Sequence, residues 1–310
     1  MMNKNKEIIT SNNKIKVCNN IQEVKDFIKM NKEINICLYL AYKEPIEWEI
    51  STSRVYMNKI YKNLVYLPIN IKKNDFESLK EIYDLSEQNN QIVAINQTQP
   101  HKSNPVLKEW FRNKTIPDNV DSLIKDQNNK LTCYDLNGPS FTDWFKEDVS
   151  TLKNRSVILF GVGGVGEPIA RRIAKEGINS LYLIDINSKE NLAKELSNDT
   201  KVTYLEKLNE ICLENDSFIF INCTGKEGGN DNSAVEFLKK YKNMNNIFVD
   251  LRPQINIEIV NLAKKLGWNA YTGFGMNARN DYTLLKKISE LINIKIPSFE
   301  EFKKLVEEAS

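Results

Sequence analysis

One segment in the second half of the chain constrains the fold more than any other. It begins at Ser156 and consists of SVILFGVGGVGEPIARRIAKEG followed directly by INSLYLIDIN. An apolar, β-branched run is followed by a glycine-rich turn, by apolar residues at helical spacing and by a second apolar run. This order predicts a strand, a tight turn, a helix and a second strand parallel to the first. It therefore indicates an α/β fold with a doubly wound parallel sheet, a Rossmann domain.

The glycines of this turn follow the spacing GxGxxG, at Gly161, Gly163 and Gly166. In this motif the first glycine allows the tight turn, the second lets the backbone approach a pyrophosphate, and the third permits close packing of helix on strand. The phosphates then lie at the positive N-terminus of the helix. We therefore expect a dinucleotide cofactor at Gly161, Gly163, Gly164, Val165 and Gly166. The alternative is a turn that only packs the sheet.

Asp185 ends the second strand of this segment, 24 residues after Gly161. A carboxylate there can accept hydrogen bonds from both hydroxyls of the adenosine ribose, and it would repel a 2′-phosphate. The residue therefore favours NAD over NADP as the cofactor. Arg171 and Lys189 leave NADP open, because their charges could offset that repulsion. A solvated strand end is the alternative interpretation of Asp185.

The composition argues against several classes of function. The 310 residues include 43 Lys and Arg against 41 Asp and Glu, so no basic excess is present to bind a phosphate backbone, and nucleic acid is not an expected partner. No apolar run approaches the roughly 18 residues of a membrane span, and the polar start lacks the apolar stretch of a signal peptide. We expect a cytoplasmic protein with no membrane partner. Five scattered cysteines and a single histidine predict neither a disulfide framework nor a metal site.

The first half of the chain also alternates short apolar runs with helix-like periods. The predicted strands are NICLYLAY, VYLPINI, QIVAIN and LTCYDL, and the predicted helices are IQEVKDFIKM, VYMNKIYKNL and FESLKEIYDLSEQ. This alternation favours a second α/β domain around a parallel sheet. The stretch between residues 102 and 129 lacks a regular period, so loops and broken helix are expected there.

The change of pattern near residue 150 and the length of the chain favour two domains. We expect an N-terminal α/β domain at residues 1–148, in which residues 1–33 form an extension of unknown role. A dinucleotide-binding domain is expected at residues 149–275. The helices predicted in residues 276–310 are expected to return to the first domain.

Three polar clusters stand out in the first half. Ser51 and Ser53 place two hydroxyls near a predicted helix start, where they could bind a carboxylate or form a simple N-cap. The run NQTQPHK follows a predicted strand and ends at Lys102, which could also be a solvated loop charge. Asp135 lies in LTCYDLNG, where alone it would be interpreted as a turn residue.

Taken together, in this order and before a nucleotide-binding domain, these clusters resemble the shikimate dehydrogenase family, which includes the quinate dehydrogenases. The resemblance covers about residues 35–290. Ser51, Ser53 and Asn58 match the motif Ser-x-Ser-Pro-x-x-His-Asn, which binds the substrate carboxylate in that family. The resemblance therefore implies that the N-terminal domain binds a small carboxylic acid.

The same resemblance assigns the acid–base residues. NQTQPHK matches the motif Asn-Val-Thr-x-Pro-x-Lys, which makes Lys102 the counterpart of the catalytic lysine and places Asn96 and Thr98 on ring hydroxyls. Asp135 and Gly138 match the motif Asn-Thr-Asp-x-x-Gly, which carries the partner of that lysine. Lys102 is then expected to donate a proton to the forming alkoxide and to stabilise its charge.

Two further segments resemble the cofactor side of that family. Asn222, Cys223 and Thr224 are similar to its Asn-Ala-Thr turn beside the cofactor. Gly273 opens a Gly-Phe-Gly-Met segment similar to the Gly-x-x-Met segment near the nicotinamide. NADP-using members carry Asn-Arg where this chain has Asp185 and Ile186, so the resemblance also favours NAD.

The departures from the family concern the substrate. Arg54 and Met57 replace a proline and a histidine of the serine motif, and Asn280 stands where the family has a glutamine. Asp121 replaces an asparagine that contacts substrate hydroxyls. A carboxylate at this position could pair with an ammonium group, which would suggest an amino-substituted acid, or could accept hydrogen bonds from two hydroxyls.

A substrate-reading tyrosine of the family is missing as well, and Asp250-Leu-Arg252-Pro253 stands in its place. We expect Arg252 to be exposed to solvent, and the alternative is a second contact to the substrate carboxylate. Because a site built to hydrogen-bond one substrate rejects analogues that lack the bonded group, these changes weaken the case for shikimate itself.

The resemblance implies an oxidoreductase that transfers a hydride between NAD(H) and the alcohol or ketone of a cyclic polyhydroxy carboxylic acid, in aromatic or secondary-metabolite biosynthesis. Lys102 and Asp135 are its expected catalytic pair. The alternative is a catalytically silent protein of the same fold that senses NAD or an acid. Retention of both Lys102 and Asp135 argues against this alternative, because a protein that only binds has no need of the pair.

Overall fold

The computed structural model describes residues 14–42, 47–49, 61, 63–98, 100–112, 115–213, 217–224, 231–242 and 246–308. Most of the predicted helix VYMNKIYKNL, residues 55–60 and 62, lies outside these residues. By its contacts the chain divides into two compact units. The first unit comprises Met1–Leu136 and Asp281–Ser310, and the second comprises Asn137–Asn280. The N-terminal segment of the first unit thus ends at Leu136, whereas the sequence pattern predicts that the first domain ends at residue 148.

The first unit contains a five-stranded sheet with the order β4-β2-β5-β6-β7. Strand β2 is parallel to its neighbours β4 and β5, and β6 runs antiparallel to both β5 and β7. The strands are β2 (Asn35–Ala41), β4 (Leu64–Asn70), β5 (Ile92–Gln97), β6 (Ser122–Lys125) and β7 (Leu131–Tyr134). A separate antiparallel pair joins β1 (Lys14–Lys16) to β3 (Glu47–Glu49).

The helices of the first unit begin at side-chain caps. Asn20 accepts a hydrogen bond from the Glu23 amide at the start of α1 (Ile21–Met30), and Asp75 does the same from Ser78 for α2 (Phe76–Gln88). Such caps satisfy backbone N–H groups that have no partner within the helix. The irregular stretch after Lys102 contains the short helix α3 (Pro105–Trp110), in agreement with the expected broken helix. It also contains the strand β6, which the sequence pattern does not predict.

The second unit contains six parallel strands with the order β10-β9-β8-β11-β12-β13. Chain order reverses between β8 and β11, which is the arrangement of a doubly wound sheet. The strands are β8 (Ser156–Phe160), β9 (Ser180–Ile184), β10 (Lys201–Leu205), β11 (Phe218–Asn222), β12 (Ile247–Asp250) and β13 (Asn269–Thr272). The structure confirms the predicted α/β fold with a Rossmann-like domain.

Helices complete the description of the chain. The second unit holds α4 (Asn137–Trp144), α5 (Gly166–Ile173), α6 (Glu190–Leu196), α7 (Asp231–Lys240) and α8 (Glu258–Lys265). A five-residue π-helical turn, Phe145–Val149, directly follows α4. The helix α9 (Phe274–Ile292) begins in the second unit and ends in the first, which also contains α10 (Phe299–Glu308).

Both faces of the second sheet are covered by apolar side chains. Val157 and Leu159 of β8 belong to one buried cluster, whereas Ile158 and Phe160 belong to another. Because successive side chains of a strand point to opposite faces, this division shows one core on each side of the sheet. The continuous apolar run of the sequence is therefore a central strand, and its carboxyl end leads into the glycine turn.

Two absences concern the described part of the chain. Within it, no helix combines the length and apolar character that a membrane span requires. The same residues contain no group of three His, Cys, Asp or Glu side chains that could hold a metal ion.

Candidate functional site

The glycine turn between β8 and α5 has two positions that exclude side chains. Gly161 has φ +90°, and a Cβ there would lie 3.0 Å from Cγ2 of Thr224. A Cβ on Gly166 would collide with the carbonyl oxygen of Gly161. The Gly161 amide donates to the carbonyl of Ile184 on the neighbouring strand at 2.8 Å. Glycine is therefore required at the first and third positions by backbone conformation and close packing.

Gly163 occupies the second position, and it differs from the other two. A Cβ built there meets no atom within 4 Å, so its backbone faces open space. Gly164 and Val165 complete the turn, and the Glu167 amide donates to the Gly163 carbonyl at 2.9 Å as α5 begins. A backbone that is open at this point fits the approach of a pyrophosphate to the start of a helix. The residues present thus fit a dinucleotide.

Asp185 follows β9 and its carboxylate is bonded to the glycine turn. Oδ2 accepts from the amide of Val162 at 2.7 Å, and Oδ1 accepts from the amide of Asn187 at 2.8 Å. Oδ1 also accepts from Nδ2 of Asn187 at 3.3 Å, so these bonds fix the carboxylate and leave a second lone pair on Oδ2 for a further hydrogen bond. The interpretation of Asp185 as only a solvated strand end is wrong, because the side chain links two segments.

Next to Asp185, the two cations noted in the sequence are both ion-paired. Nζ of Lys189 lies 3.8 Å from Oε2 of Glu167, and Nη2 of Arg171 lies 3.0 Å from Oε1 of the same residue. Arg171 also pairs with Glu195 through Nη1. Glu167 therefore holds cations from two different segments.

The turn after β11 lies against the glycine turn. Oδ1 of Asn222 accepts from the backbone amide and the hydroxyl of Thr224, the latter at 2.8 Å. The amide of Cys223 donates to the carbonyl of Phe160 at 2.7 Å, and burial raises the pKa of its thiol far above the usual value. Cys223 and Thr224 are thus held beside Gly161, where the predicted cofactor turn places them.

A buried ion pair lies at the ends of β11 and β12, which the sequence analysis does not predict. Asp250 accepts from Nδ2 of Asn222 at 2.9 Å and from Nε and Nη2 of Arg252 at 2.7 and 2.8 Å. The side chain of Arg252 is only 12% exposed. The expectation that Arg252 is exposed to solvent is wrong, because the adjacent carboxylate holds it. Opposite charges two residues apart at a strand end are the signal that could have indicated this pair.

The segment around Gly273 is also tightly packed. A Cβ on Gly273 would collide with the backbone of Leu251, and one on Gly275 would collide with the indole of Trp144. Asn280 is buried in α9, and its Nδ2 donates to Oδ1 of Asn137 at 3.3 Å. The role of Asn280 on the substrate stays a prediction.

In the first unit, Asn96 and Thr98 lie at the end of β5. Oδ1 of Asn96 accepts from the hydroxyl of Tyr66 at 2.6 Å, and Nδ2 donates to the Asp121 carbonyl and to the Ser122 hydroxyl at 3.0 and 3.2 Å. Both amide hydrogens of Asn96 are thus used within the fold. The structure gives Asn96 a role in joining strands, whereas Thr98, whose amide donates to Leu40, follows the strand end.

Lys102 lies in a single 3-10 turn, His101–Ser103, and its side chain is buried, with an exposure of 7%. Its carbonyl accepts from the amide of Val120 at 2.8 Å. A lysine this buried is not a solvated loop charge, because a solvated ammonium group stays in water and avoids the large desolvation cost of burial. The neighbouring His101 is also buried, and desolvation lowers its pKa.

The two-residue segment Val120–Asp121 connects the candidate acid–base residues. Val120 bonds to Lys102 as described, and the amide of Asp121 donates to the carbonyl of Tyr134 at 3.1 Å. Oδ2 of Asp121 accepts from the amide of Leu136 at 2.9 Å. Asp121 thus holds the residues on both sides of Asp135. Through these bonds, Val120–Asp121 connects the backbone of Lys102 with the residues on both sides of Asp135. We call this set of hydrogen bonds the backbone frame.

The predicted carboxylate-binding residues Ser51, Ser53 and Asn58 lie outside the described residues. The structure therefore gives no account of that part of the site.

Comparison with known proteins gives a consistent set of relatives. No family model matches the chain. It is 24% identical over 177 residues to the shikimate dehydrogenase (NADP(+)) of Desulforamulus reducens, covering 55% of this chain and 57% of that protein. It is 26% identical over 240 residues to the protein of the same name from Methanocaldococcus jannaschii, covering 74% and 83%. The chain thus spans less than two thirds of the length of the first of these relatives.

Solved structures share the fold over nearly the whole chain. Shikimate 5-dehydrogenase from Listeria monocytogenes, in complex with shikimate and NAD, superposes with a TM-score of 0.69 at 16% identity, covering 88% of this chain and 96% of that one. Quinate dehydrogenase from Corynebacterium glutamicum, in complex with NAD, gives 0.67 at 15% identity, covering 89% and 99%. A 5-ketofructose reductase from Gluconobacter gives 0.66 at 17% identity, covering 90% and 99%. These relatives confirm the resemblance that the motifs predict.

Proposed function

We propose that this chain, which resembles the shikimate and quinate dehydrogenases in motifs, sequence and fold, is an NAD-dependent oxidoreductase. It transfers a hydride between the cofactor and the alcohol or ketone carbon of a cyclic polyhydroxy carboxylic acid. The observation that carries this proposal is the buried Lys102, fixed on the same backbone frame as Asp135. A solvent-facing or isolated lysine would not support proton transfer at a defined atom.

On the cofactor side, the glycine turn at Gly161, Gly163 and Gly166 would hold the pyrophosphate, together with Gly164 and Val165. The open backbone at Gly163 supports this assignment. Cys223, Thr224 and Gly273 would line the remainder of the cofactor site by family resemblance. When bound, the dinucleotide supplies the hydride acceptor or donor, and the protein supplies position and the proton.

Lys102 would act on the proton. In the direction of reduction, its ammonium group donates a proton to the alkoxide oxygen as the hydride reaches the carbon, and in oxidation the neutral amine accepts that proton. Asp135 favours the charged form of the lysine and fixes its orientation. Each group then returns to its starting state in the reverse reaction.

The substrate contacts are proposed from the family motifs. Ser51 and Ser53 would bind the carboxylate, and Thr98 and Asn280 would bind ring hydroxyls. Both amide hydrogens of Asn96 bond within the fold and its oxygen accepts from Tyr66, so a substrate hydroxyl would have to donate to the second lone pair of that oxygen. Asp121 is the residue that separates an amino-substituted acid from a polyhydroxy acid, because only the former brings a positive charge to the carboxylate.

NAD is the preferred cofactor in this proposal. Asp185 is fixed at the glycine turn and would repel a 2′-phosphate. The curated relatives carry NADP in their names, whereas the Listeria and Corynebacterium structures contain NAD. The relatives thus include both cofactors, and the argument for NAD rests on Asp185 and its surroundings.

The test is a titration of the purified protein with NAD, NADH, NADP and NADPH, followed by turnover measured through the absorbance of the reduced nicotinamide. Shikimate, quinate and their amino analogues form the substrate panel. We expect tighter binding of NAD than of NADP, and turnover of at least one acid. The variant Lys102→Met should bind NAD normally and lose at least about 100-fold in turnover, the usual contribution of acid–base catalysis.

Lys125→Met is the matched control, since Lys125 is another buried lysine of the same unit and lies outside the proposed site. It should retain turnover. Near-normal turnover by Lys102→Met would contradict the assignment of Lys102. Binding of NAD without turnover of any acid by the unchanged protein would instead favour a regulatory protein of the same fold.

A further inference from the structure

Two side-chain links join the same pair of segments at the adenosine end of the proposed cofactor site. The first is the bond from the Val162 amide to Asp185, between the glycine turn and the end of β9. The second is the ion pair of Glu167 with Lys189, between the start of α5 and the residue before α6. The two links thus join the same two segments, one with the proposed pyrophosphate turn and one with the carboxylate that would receive the ribose.

Glu167 also binds the second cation of this region. Arg171 lies one turn further along α5, and it contacts both Glu167 and Glu195. Burial lowers the pKa of Arg171, but the hydrogen bonds that its guanidinium donates to Glu195 and Glu167 outweigh that effect and raise the pKa. Glu167 and Glu195 thus offset the charges of the two cations, and Asp185 at the end of β9 adds one further negative charge to the two joined segments.

This charge balance bears on a 2′-phosphate. Such a group has a charge of about −1.5 to −2 at pH 7, as other phosphate monoesters do. Dinucleotide-binding domains that accept it provide a cation near the ribose. Here Glu167 and Glu195 already neutralise Lys189 and Arg171. The negative charge of Asp185 then opposes the binding of another anion. Salt would screen the effect, since the Debye length is about 10 Å at 0.1 M ionic strength.

We propose that Glu167 is a second determinant of cofactor choice: by pairing with Lys189 and Arg171, it withholds both cations from the 2′-phosphate of NADP. This inference rests on the proposed dinucleotide function. It adds to the role of Asp185, because Asp185 acts on the phosphate directly, whereas Glu167 acts through the cations that could have balanced it.

A purely local role of Glu167 makes a different prediction. Glu167 and Arg171 are four residues apart on α5, and such a pair modestly stabilises a helix. That role would change stability and leave the relative affinity for the two cofactors untouched. The contact with Lys189 comes from another segment, and it is the one that a helix-stabilising role does not need.

The test measures the dissociation constants of the full chain for NAD and NADP by isothermal titration calorimetry at low ionic strength. Glu167→Gln removes the charge and keeps the side-chain size. We expect it to tighten NADP binding about tenfold, with NAD binding within about twofold of the unchanged protein. The gain should shrink at high salt. Adenosine 2′,5′-bisphosphate, compared with adenosine 5′-monophosphate, tests the 2′-phosphate alone.

Glu195→Gln is the matched control, since Glu195 contacts Arg171 and has no contact with Lys189 among the ion pairs of the described residues. It should give less than about a third of the gain. Adding Lys189→Met to Glu167→Gln should remove most of the gain. Glu167→Ser, with a residue suited to a helix start, repeats the test if the glutamine variant does not fold.

The outcomes separate the two proposals. An unchanged ratio of NADP to NAD affinity in Glu167→Gln or Glu167→Ser would overturn the inference, as would an equal gain in Glu195→Gln. Failure of the unchanged protein to bind either dinucleotide would overturn the proposed function itself.

Discussion

At the scale of single residues, Asp121 has an observed structural role and a proposed role toward the substrate. Its Oδ2 accepts a hydrogen bond from Leu136, and its own amide donates to Tyr134, so the residue encloses Asp135 on both sides. The side chain is 2% exposed. A buried carboxylate is costly unless hydrogen bonds and charges surround it. The role of Asp121 in the frame and its role toward a substrate can be separated by choice of substitution.

We predict that Asp121→Asn leaves the free energy of unfolding nearly unchanged, because the amide oxygen can still accept from Leu136. Asp121→Leu, of similar shape, should lower that free energy by about 1–3 kcal/mol, the cost of an unsatisfied buried donor. Urea denaturation measures both values. If the charge of Asp121 binds an ammonium group, Asp121→Asn also lowers turnover of amino substrates at least about tenfold relative to hydroxy substrates.

Equal stability of the Asn and Leu variants would contradict the structural role of the Asp121 carboxylate. Equal turnover of amino and hydroxy substrates, unchanged by Asp121→Asn, would remove the argument for an amino-substituted acid.

At the scale of elements, the strand β6 contains a buried lysine whose charged form is disfavoured by desolvation. Lys125 ends this strand with an exposure of 5%, and its Nζ donates to the carbonyl of Asn89 at 2.8 Å. Burial lowers the pKa of Lys125 to about 8, and the nearby Glu87 only partly opposes this effect. The strand therefore contains an ammonium group that the folded state disfavours.

We predict that this residue makes stability rise with pH. Between about pH 8 and the unfolded value near 10.5, the unfolded chain binds a proton at Lys125 that the folded chain has lost. The free energy of unfolding then increases with pH by at most about 1.4 kcal/mol per unit from this group. Urea denaturation at several pH values, with Lys125→Met as reference, isolates the contribution. Parallel pH dependence in the two proteins would contradict the lowered pKa.

The elements also show what the sequence can and cannot predict. The strand, glycine turn and second strand around Gly161 follow from local pattern, because apolar runs and glycine conformations are local properties. The strand β6 has only four residues and is defined by its pairing with β5 and β7. A local sequence pattern does not contain the pairing between separate strands. For the same reason, the burial of Arg252 depends on Asp250 accepting its guanidinium, and the use of the Asn96 hydrogens depends on a strand 26 residues later.

At the scale of the whole molecule, the chain consists of two compact units, each with its own sheet. The glycine turn, Asp185 and the Asn222–Thr224 turn all belong to the second unit, whereas Lys102, Asp121 and Asp135 belong to the first. The proposed cofactor contacts and the proposed acid–base residues are thus divided between the units. A ligand that binds only one set should affect the units unequally.

We predict that NAD stabilises the second unit most. A ligand at 100 times its dissociation constant adds about 2.7 kcal/mol to the free energy of unfolding of the state that binds it. Hydrogen exchange followed by mass spectrometry should show the greatest slowing within residues 156–205, around β8, the glycine turn and Asp185. NADP at the same concentration is the control and should slow exchange less. Slowing confined to the sheet of the first unit would contradict the assignment of the cofactor site.

The frame around Val120–Asp121 has a consequence for how such a site can diverge. Its bonds to Lys102, Gln97 and Tyr134 are made by backbone atoms, which are the same whatever side chains the segment carries. Side-chain replacements here that keep an acceptor for Leu136 at position 121 can therefore change substrate preference while these backbone bonds to the proposed acid–base residues are retained. Inserting or deleting one residue within the segment would instead break several of these bonds at once. Proteins descended from such a chain are therefore expected to change their substrate preference by point mutation, while the length of the segment around Val120–Asp121 stays constant.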